Sequence, residues 1–424
     1  MKLLIKNGML IDPASQKEGV YDLLVEEGKI KKIDRGIKAT VDQVIDAKGW
    51  VVSPGFIDLH THLREPGYGY KETIKSGTEA AAAGGFTSIV CMANTNPVND
   101  NAVISEYIRN KAKEEGIVNV FPVGAVSKGL EGQVLADIGR MSKAGIVAIS
   151  DDGRTVMNSA LMRKAMQYAR GFDLLVMSHC EDESLSSEDS INEGMVATEL
   201  GLAGSPDAAE EIMVARDIAL AELTGIRFHV QHLTTRGSLQ LVTAARQRGV
   251  KVSCEVTPHH FTLSDEAVWG YNTAAKVRPP LRSKEQVAAI RQGLKSGLIQ
   301  AIATDHAPHA SFEKEVEFHQ AANGMVGLET ALPLSLKLID DKILRLPDVV
   351  RLLTAGPASI LGLKNKGTLK VGADADITIF DPKKAVTVDR EKFRSKSKNT
   401  PFHGWKLKGR VEATIVAGKV VFKT

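Results

Sequence analysis

The sequence predicts a (β/α)8 TIM-like barrel with a small composite β-sandwich domain formed by both chain ends. Three observations favour this fold. Eight apolar runs alternate with helical patterns through the middle of the chain, several of these runs end in His or Asp, and both ends show strand-like alternation instead. The predicted division is a composite β-domain of residues 1–53 plus 366–424 and a barrel of residues 54–365.

Short strands that break at Gly or Asp characterise both ends of the chain. LLIKNG, DLLVEEG and KIKKI alternate apolar and polar positions near the start, and GTLKVGADADITIFD and ATIVAGKVVF repeat this texture near the end. Because a long α/β segment separates the two stretches, we expect them to pair only after that segment has folded back.

The middle of the chain alternates apolar runs such as SIVCMAN and RFHVQHLT with helical stretches such as AAEEIMVARDIALAELTG. This order is typical of βα units around a parallel sheet, and eight units favour a closed barrel over an open doubly wound sheet. No Gly-x-Gly-x-x-Gly motif follows the first strand, and no Walker-type Gly-Lys-Ser/Thr loop appears. Dinucleotide-binding and P-loop functions therefore lose support.

Composition excludes several classes of protein. Hydrophobic residues make up 43% and charged residues 25%, and 54 basic against 51 acidic residues leave a net charge of +3. That small charge argues against nucleic acid as a partner. Three scattered cysteines do not make a disulfide framework, the first residues lack a signal-peptide pattern, and no apolar run approaches the ~18–20 residues of a membrane helix. We expect a cytoplasmic protein without a membrane partner.

Residue types that bind metals end five of the eight predicted strands. Active sites of such barrels lie at the carboxyl ends of the strands, so these side chains should converge. His60 and His62 are two apart on a strand and share one face. His232 is preferred to His229, which lies three residues away and is predicted to pack between sheet and helix. Imidazoles and carboxylates suit Zn²⁺ and could accept Mn²⁺ or Co²⁺. The residues are His60, His62, Asp151, Asp152, His179, His232 and Asp305.

The fourth predicted strand, GIVAISDDG, ends in two adjacent carboxylates. Asp151 and Asp152 should point to opposite faces, so one of them could bridge two metal ions. Many barrels of this type use a carboxylated lysine at that strand, but this strand has no Lys. The sequence leaves open the alternative that Asp-Asp-Gly only forms a turn. Cys180 should face away from its neighbour His179 and belong to the core.

The motifs PGFIDLHTHLREPG, MANTNP, SDDG, SHCED, EVTPHH and ATDHAPH together resemble dihydroorotases of the amidohydrolase superfamily, in particular the bacterial class I type. The resemblance covers nearly the whole chain. It implies a zinc hydrolase, with two ions per subunit, that interconverts (S)-dihydroorotate and N-carbamoyl-L-aspartate in pyrimidine biosynthesis. It further implies that His60, His62 and Asp305 hold the more buried ion, that His179 and His232 hold the second, and that Asp152 bridges them.

The resemblance also implies the substrate contacts. Arg64 and Asn94 would bind the substrate carboxylate, and His309 would make a further contact. Arg278 stands where many bacterial relatives carry Asn, and it resembles a substrate-contacting Arg of the animal type. Water activated by zinc would attack the cyclic amide, with Asp305 as general base and then acid. Residues 310–327 are predicted to form a long loop that moves over the substrate.

Two other functions remain open at this point. One is a different cyclic amidase, such as allantoinase or hydantoinase; Arg64 with Asn94 favours a carboxylated substrate instead. The other is a catalytically silent barrel that acts as a scaffold for aspartate carbamoyltransferase, against which the complete set of ligands argues. A homodimer and an association with aspartate carbamoyltransferase are further expectations.

Overall fold

The computed structural model of the protein describes residues 2–186 and 191–424. Strands dominate both ends of the chain, and strands alternate with helices between them. The strands are β1 (Lys2–Asp12), β2 (Lys17–Glu26), β3 (Lys29–Asp34), β4 (Gln43–Asp46), β5 (Val51–Pro54), β6 (Phe56–Thr61), β7 (Phe86–Cys91), β8 (Asn119–Gly124), β9 (Ala148–Ile149), β10 (Leu175–Ser178), β11 (Ile191–Asn192), β12 (Gly204–Ser205), β13 (Phe228–Val230), β14 (Val252–Val256), β15 (Ala301–Ile302), β16 (Ile377–Thr387), β17 (Lys406–Val416) and β18 (Lys419–Lys423).

The α-helices of the described residues follow barrel strands or fill the loops between them. Several of those that flank the barrel begin at capping side chains: Asn101 caps α2, Asn158 caps α4 and Thr235 caps α7. The helices are α1 (Ile74–Ala83), α2 (Ala102–Glu115), α3 (Ile138–Ala144), α4 (Ser159–Arg170), α5 (Met195–Leu200), α6 (Asp207–Thr224), α7 (Arg236–Gln247), α8 (Pro258–Thr262), α9 (Lys284–Lys295), α10 (Ser311–Lys314), α11 (Ala331–Asp340), α12 (Leu346–Leu353) and α13 (Ala355–Leu361).

Eight parallel strands in the described part of the chain curve into a nearly closed barrel, in the order β6-β7-β8-β9-β10-β13-β14-β15. The last strand meets the first at a seam, where Thr61 and His306 form a parallel bridge. The amide of His62 donates to the carbonyl of His306 across the same seam, at 2.9 Å. The prediction of a (β/α)8 barrel is therefore confirmed.

The barrel strands are apolar on both faces, as buried parallel strands require. Leu175 and Met177 of β10 belong to an apolar cluster inside the barrel, whereas Val176 between them belongs to the cluster under the surrounding helices. This alternation explains why each strand appears as a continuous apolar run in the sequence. A polar side chain on the inner face of such a strand must find a partner inside the barrel.

Both chain ends contribute to one sheet, in the order β18-β17-β16-β5-β1-β2-β3, with β4 paired to β1. The two ends join where β16 pairs antiparallel with β5, for example Ile379 opposite Val52. Both of these side chains belong to an apolar cluster that the sheet residues share. The predicted strand assembly from both ends is confirmed, while its boundaries, 1–53 plus 366–424 against 54–365, stay a prediction.

The helices in the described ranges offer no segment that combines the length and the apolar character needed to span a bilayer.

Candidate metal centre and substrate cavity

Two overlapping groups of metal-binding side chains meet at the carboxyl ends of the barrel strands. One group is His60, Asp152 and His232, and the other is His60, His62 and Asp305. Within each group the ligand atoms lie within 4.8 Å of one another, and all the residues are buried. His60 belongs to both groups, so its imidazole could bind an ion at either of the two positions.

The carboxylates of this cluster lie between the imidazoles. Asp305 Oδ1 is 3.0 Å from His62 Nε2 and 3.5 Å from His60 Nε2. Asp152 faces the groups with different oxygens, since its Oδ1 is 3.2 Å from His60 Nε2 and 3.6 Å from His232 Nε2. Its Oδ2 is 3.5 Å from His62 Nε2. Asp152 thus occupies the position between the two groups.

His179 extends the cluster on the side of His232. Its Nδ1 is 2.9 Å from His232 Nε2, and its Nε2 is 3.1 Å from a carboxylate oxygen of Glu181. If Nε2 carries the proton that Glu181 accepts, Nδ1 is left with a lone pair that faces His232. The five predicted ligands and the predicted bridging carboxylate therefore lie together, and their roles toward a metal stay predictions.

The hydrogen bonding of the cluster tests whether it fits a cation. His60 Nε2 and Asp152 Oδ1 are 3.2 Å apart, yet both are buried without a hydrogen-bond partner. A buried polar atom without a partner costs about 1–3 kcal/mol, so a pair of such atoms indicates a binding position for a ligand. A divalent cation would satisfy both atoms, and imidazole with carboxylate is a donor set that zinc accepts. The residues present therefore fit a metal ion.

The electrostatics of the cluster agree with this fit. Burial would raise the pKa of the Asp305 carboxyl, but the imidazoles of His60 and His62 outweigh it and hold the pKa well below the usual range. Asp152 behaves in the same way, with His60 and His232 as the opposing groups. Both carboxylates are therefore ionised at neutral pH and available as anionic ligands.

A left-handed backbone turns two of these side chains into the site. Strand β13 ends at Val230, and His232 has φ 31°; Asp305 follows β15 with φ 47°. Non-glycine residues adopt this region rarely and at an energetic cost. Strict strand alternation would place His232 on the outer face, so this backbone conformation is what brings it to the cluster.

The prediction for His229 was wrong. His229 lies inside the barrel, where its Nε2 is 3.1 Å from Glu255 Oε2. The other oxygen of Glu255 is 3.1 Å from His60 Nδ1. The alternation argument failed because the chain leaves the strand between His229 and His232, and the two imidazoles reach the same interior at different depths.

The adjacent carboxylates after β9 diverge as alternation predicts. Asp151 accepts hydrogen bonds from the amides of Val126 and Ser127 at 2.7 and 3.0 Å, and it anchors the loop after β8. Burial raises the pKa of Asp151 to about 6 despite these bonds. Cys180 is buried in the apolar cluster beneath the helices and lies apart from the metal-binding groups.

A cavity of about 310 Å³ opens beside the cluster. The cavity is lined by all four side chains that are predicted to contact the substrate and by His62, Asp152, His179, His232 and Asp305. Arg64 is held by Pro308, whose carbonyl accepts from Nε at 3.2 Å, and one Nη lies 3.3 Å from His309 Nε2. The predicted contacts that line this cavity are Arg64, Asn94, Arg278 and His309.

The segment predicted as a loop covers one side of this cavity. It contains the short helix α10, and residues 319–324 line the cavity. Two buried ammonium groups hold it by its backbone: Lys314 Nζ donates to Ala322 O at 2.6 Å, and Lys276 Nζ donates to Phe318 O at 2.8 Å. The segment is thus pinned over the cavity, and its predicted movement stays a prediction.

Sequence reasoning missed three buried charged residues that support the site. Glu255 holds His60, Lys276 holds the loop, and Glu181 hydrogen-bonds both His179 and Arg278. A signal for Glu255 was present, because a Glu inside the apolar strand VSCEV needs a buried partner. Glu181 and Lys276 lie in loops, where no periodicity shows which side chains are buried.

Comparison with known proteins agrees with the fold and with the composition of the site. The model of the Amidohydrolase family matches residues 51–421. Dihydroorotases of Syntrophus aciditrophicus and Geobacter metallireducens are 53% and 54% identical over 425 and 424 residues, with 100% of each chain covered. The solved structure of L-hydantoinase (dihydropyrimidinase) from Arthrobacter aurescens superposes with a TM-score of 0.90 at 26% identity, covering 99% of this chain and 96% of that one. The chain belongs to the amidohydrolase family.

Proposed function

We propose that this protein is a metal-dependent dihydroorotase, which interconverts (S)-dihydroorotate and N-carbamoyl-L-aspartate in pyrimidine biosynthesis. One observation carries this function: the metal-binding cluster and the Arg64 guanidinium face the same cavity. Hydrolysis of a cyclic amide that also bears a carboxylate requires a metal centre for the reaction and a cation that binds the carboxylate. The name shared by relatives at 53% and 54% identity over their full length supports the same activity.

The metal centre of this proposal holds two Zn²⁺ ions per subunit. His60, His62 and Asp305 would hold one ion, His179 and His232 would hold the other, and Asp152 would bridge them. When bound, such ions polarise the amide carbonyl and lower the pKa of water. The orphaned atoms His60 Nε2 and Asp152 Oδ1 support this arrangement.

Asp305 is the general base and acid of this proposal. Its carboxylate is ionised at neutral pH, it lines the cavity, and its Oδ1 is 3.0 Å from His62 Nε2. In the hydrolytic direction Asp305 takes a proton from the attacking water and delivers it to the ring nitrogen as the amide bond breaks. In the reverse direction it takes the proton from the ureido nitrogen as the ring closes.

Arg64 is the anchor for the substrate carboxylate. It is almost fully buried, and among the described residues its side-chain nitrogens lie within hydrogen-bond distance of a backbone carbonyl and an imidazole rather than of a carboxylate. Its charge therefore remains for an anionic ligand, which a guanidinium binds with two parallel hydrogen bonds. Arg278, by contrast, is ion-paired with Glu181, so we assign it a secondary contact.

Asn94 and His309 complete the proposed carboxylate site without adding charge. Asn94 Oδ1 is 2.9 Å from His62 Nδ1 and accepts a hydrogen bond from it, which leaves the amide NH₂ for the substrate. Burial, together with the charge of Arg64, lowers the pKa of His309 to about 3, although Glu313 opposes this. His309 is therefore neutral at pH 7, and Arg64 supplies the positive charge of this site.

A hydantoinase or allantoinase is the second candidate, because the backbone superposes on L-hydantoinase with a TM-score of 0.90. The buried Arg64 favours the carboxylated substrate. We also propose that the protein forms a homodimer and that it associates with aspartate carbamoyltransferase. The complete set of metal-binding side chains argues that the protein is active in such an assembly and is not a silent scaffold. A cytoplasmic location agrees with three buried free thiols among the described residues.

Hydrolysis of dihydroorotate by the purified, zinc-loaded protein tests the proposed function, and metal analysis of the same sample gives the number of ions. We expect turnover of dihydroorotate to exceed that of hydantoin and allantoin. Asp305→Asn should lower kcat by about 10²-fold or more, since proton transfer by a positioned group contributes that much. Faster turnover of hydantoin or allantoin than of dihydroorotate would assign the chain to the other cyclic amidases.

Arg64→Lys tests the carboxylate anchor. Lysine keeps the charge but not the two parallel hydrogen bonds, so we expect KM for dihydroorotate to rise about 10-fold or more with a smaller change in kcat. Steady-state kinetics measure both constants. Arg163→Lys, on the exposed face of α4, is the control and should match the wild type. An unchanged KM in Arg64→Lys would remove Arg64 from the site.

The buried His309 predicts a pH effect on stability. The folded pKa of about 3 lies below the ordinary value of 6.5, so the unfolded chain takes up a proton that the folded protein does not. Stability is therefore lost as the pH falls below 6.5. We compare the free energy of unfolding of metal-free wild type and metal-free His309→Gln by urea titration at pH 6.5 and pH 4.5. The decrease on going to pH 4.5 should be about 1–2 kcal/mol smaller in the variant than in the wild type. His403→Gln, at an exposed position, is the control; equal losses in all three proteins contradict the prediction.

Movement of the loop 310–327 predicts protection by ligands. The exposed Glu315 and Glu317 are sites for a glutamate-specific protease. N-carbamoyl-L-aspartate at 100 times its Kd should slow cleavage there by up to about 100-fold, because only the closed loop contacts the ligand. Cleavage at Glu391, which is 68% exposed in its side chain, should be unaffected. Equal cleavage of the loop with and without ligand would mean that it does not close on the substrate.

A further inference from the structure

A row of hydrogen-bonding side chains leads from the metal-binding cluster into the barrel interior. Glu255 of β14 is fully buried, with Oε1 3.1 Å from His60 Nδ1 and Oε2 3.1 Å from His229 Nε2. His229 Nδ1 is in turn 2.8 Å from the Ser253 hydroxyl. Four polar side chains from three strands thus form one connected network, and the buried Gln231 joins it at His60.

The carboxylate of Glu255 sets the proton positions in this network, because an ionised carboxylate can only accept; the Gln231 amide nitrogen also lies near His60 Nδ1, at 3.2 Å. His229 donates its Nε2–H to Glu255, and its Nδ1 lies 2.8 Å from the Ser253 hydroxyl, which is also 3.4 Å from the carbonyl of Phe228. The other oxygen of Glu255 accepts from His60 Nδ1–H. Burial would raise the pKa of Glu255, but the hydrogen bonds from His229 and His60 lower it to about 2. An ionised Glu255 therefore lies between the two imidazoles, as an acceptor for both.

This proton order leaves His60 with its lone pair on Nε2. That atom is the one that is buried without a hydrogen-bond partner, 3.2 Å from Asp152 and 3.5 Å from Asp305. An imidazole in the other tautomer would present a proton to the cluster and could not bind a cation there. Because His60 belongs to both metal-binding groups, its tautomer affects both.

We propose that Glu255 is a positioning residue of the metal centre: it fixes the tautomer and the ring orientation of His60, and His229 with Ser253 fixes Glu255. The inference rests on the proposed metal-dependent function and deepens it. Carboxylates that orient a ligating His typically change metal affinity 10- to 100-fold. Glu255 does not face the substrate cavity, so its effect acts through His60.

Glu255→Gln is the most direct test. A glutamine side chain has one acceptor oxygen and one donor NH₂, so it accepts from His60 or from His229 but not from both. We expect the Kd for Zn²⁺, measured by competition with a chromophoric chelator, to rise about 10- to 100-fold. The visible spectrum of the Co²⁺-loaded variant should also differ from that of the wild type, because the spectrum reports ligand geometry.

Glu210→Gln is the matched control. Glu210 is also a buried glutamate of the barrel, but it accepts hydrogen bonds from the amides of Thr234 and Thr235 and contacts no imidazole of the cluster. It should keep the metal affinity and cobalt spectrum of the wild type. If Glu255→Gln does not fold, His229→Leu replaces it, since leucine fills similar space and cannot donate to Glu255; its Kd for Zn²⁺ should also rise.

Wild-type metal affinity and an unchanged cobalt spectrum in Glu255→Gln, or in His229→Leu where that replaces it, would overturn the inference. This outcome is separate from failure of the proposed function. If the wild type binds metal but does not hydrolyse dihydroorotate, the proposed function fails, while the metal affinities of the variants still test Glu255.

Discussion

The seam between the first and last barrel strands is the constraint on which the site depends. Asp58 of β6 is buried there, and its Oδ1 accepts from the amides of His60 and Thr304, each at 3.0 Å. Its Oδ2 accepts from the Thr304 hydroxyl at 2.6 Å. One carboxylate thus joins the strand that carries His60 and His62 to the strand that leads into Asp305. Burial raises the pKa of Asp58 to about 7, so the seam keeps these bonds at a cost in desolvation.

The sequence predicted most fully those parts of the site that lie on or directly after regular strands. His60 and His62 share a face because strand geometry alternates, and the same rule separates Asp151 from Asp152. The rule failed for His229 because β13 ends at Val230 and the next residues leave the strand, with His232 at φ 31°. Alternation holds only while a chain stays extended, and three of the barrel strands span two or three residues in the structure.

The remaining parts of the site depend on contacts between distant residues. Glu255, Glu181 and Lys276 are buried charges whose roles come from partners elsewhere in the chain, and no local pattern identifies those partners. The loop after β15 shows this most clearly, because Lys276 holds it through backbone carbonyls at Phe318 and His319. Any residue provides a backbone carbonyl, so such contacts leave no trace in the sequence of the loop.

The chain resembles a hydantoinase at 26% identity and dihydroorotases at about twice that identity. The barrel that it shares with the hydantoinase and the side chains that would select a substrate are therefore separate features of the molecule. A shared barrel does not distinguish one cyclic amide from another. Charge does distinguish them. Within the described residues, Arg64 is a buried guanidinium that has no carboxylate in hydrogen-bond contact, so the proposed binding of a substrate carboxylate would compensate its charge and favour a carboxylated cyclic amide over a neutral one. His309 beside it is neutral at pH 7, and the other cations that line the cavity, Lys276 and Arg278, are already bound to backbone carbonyls and to Glu181, so in the proposed function Arg64 carries this preference.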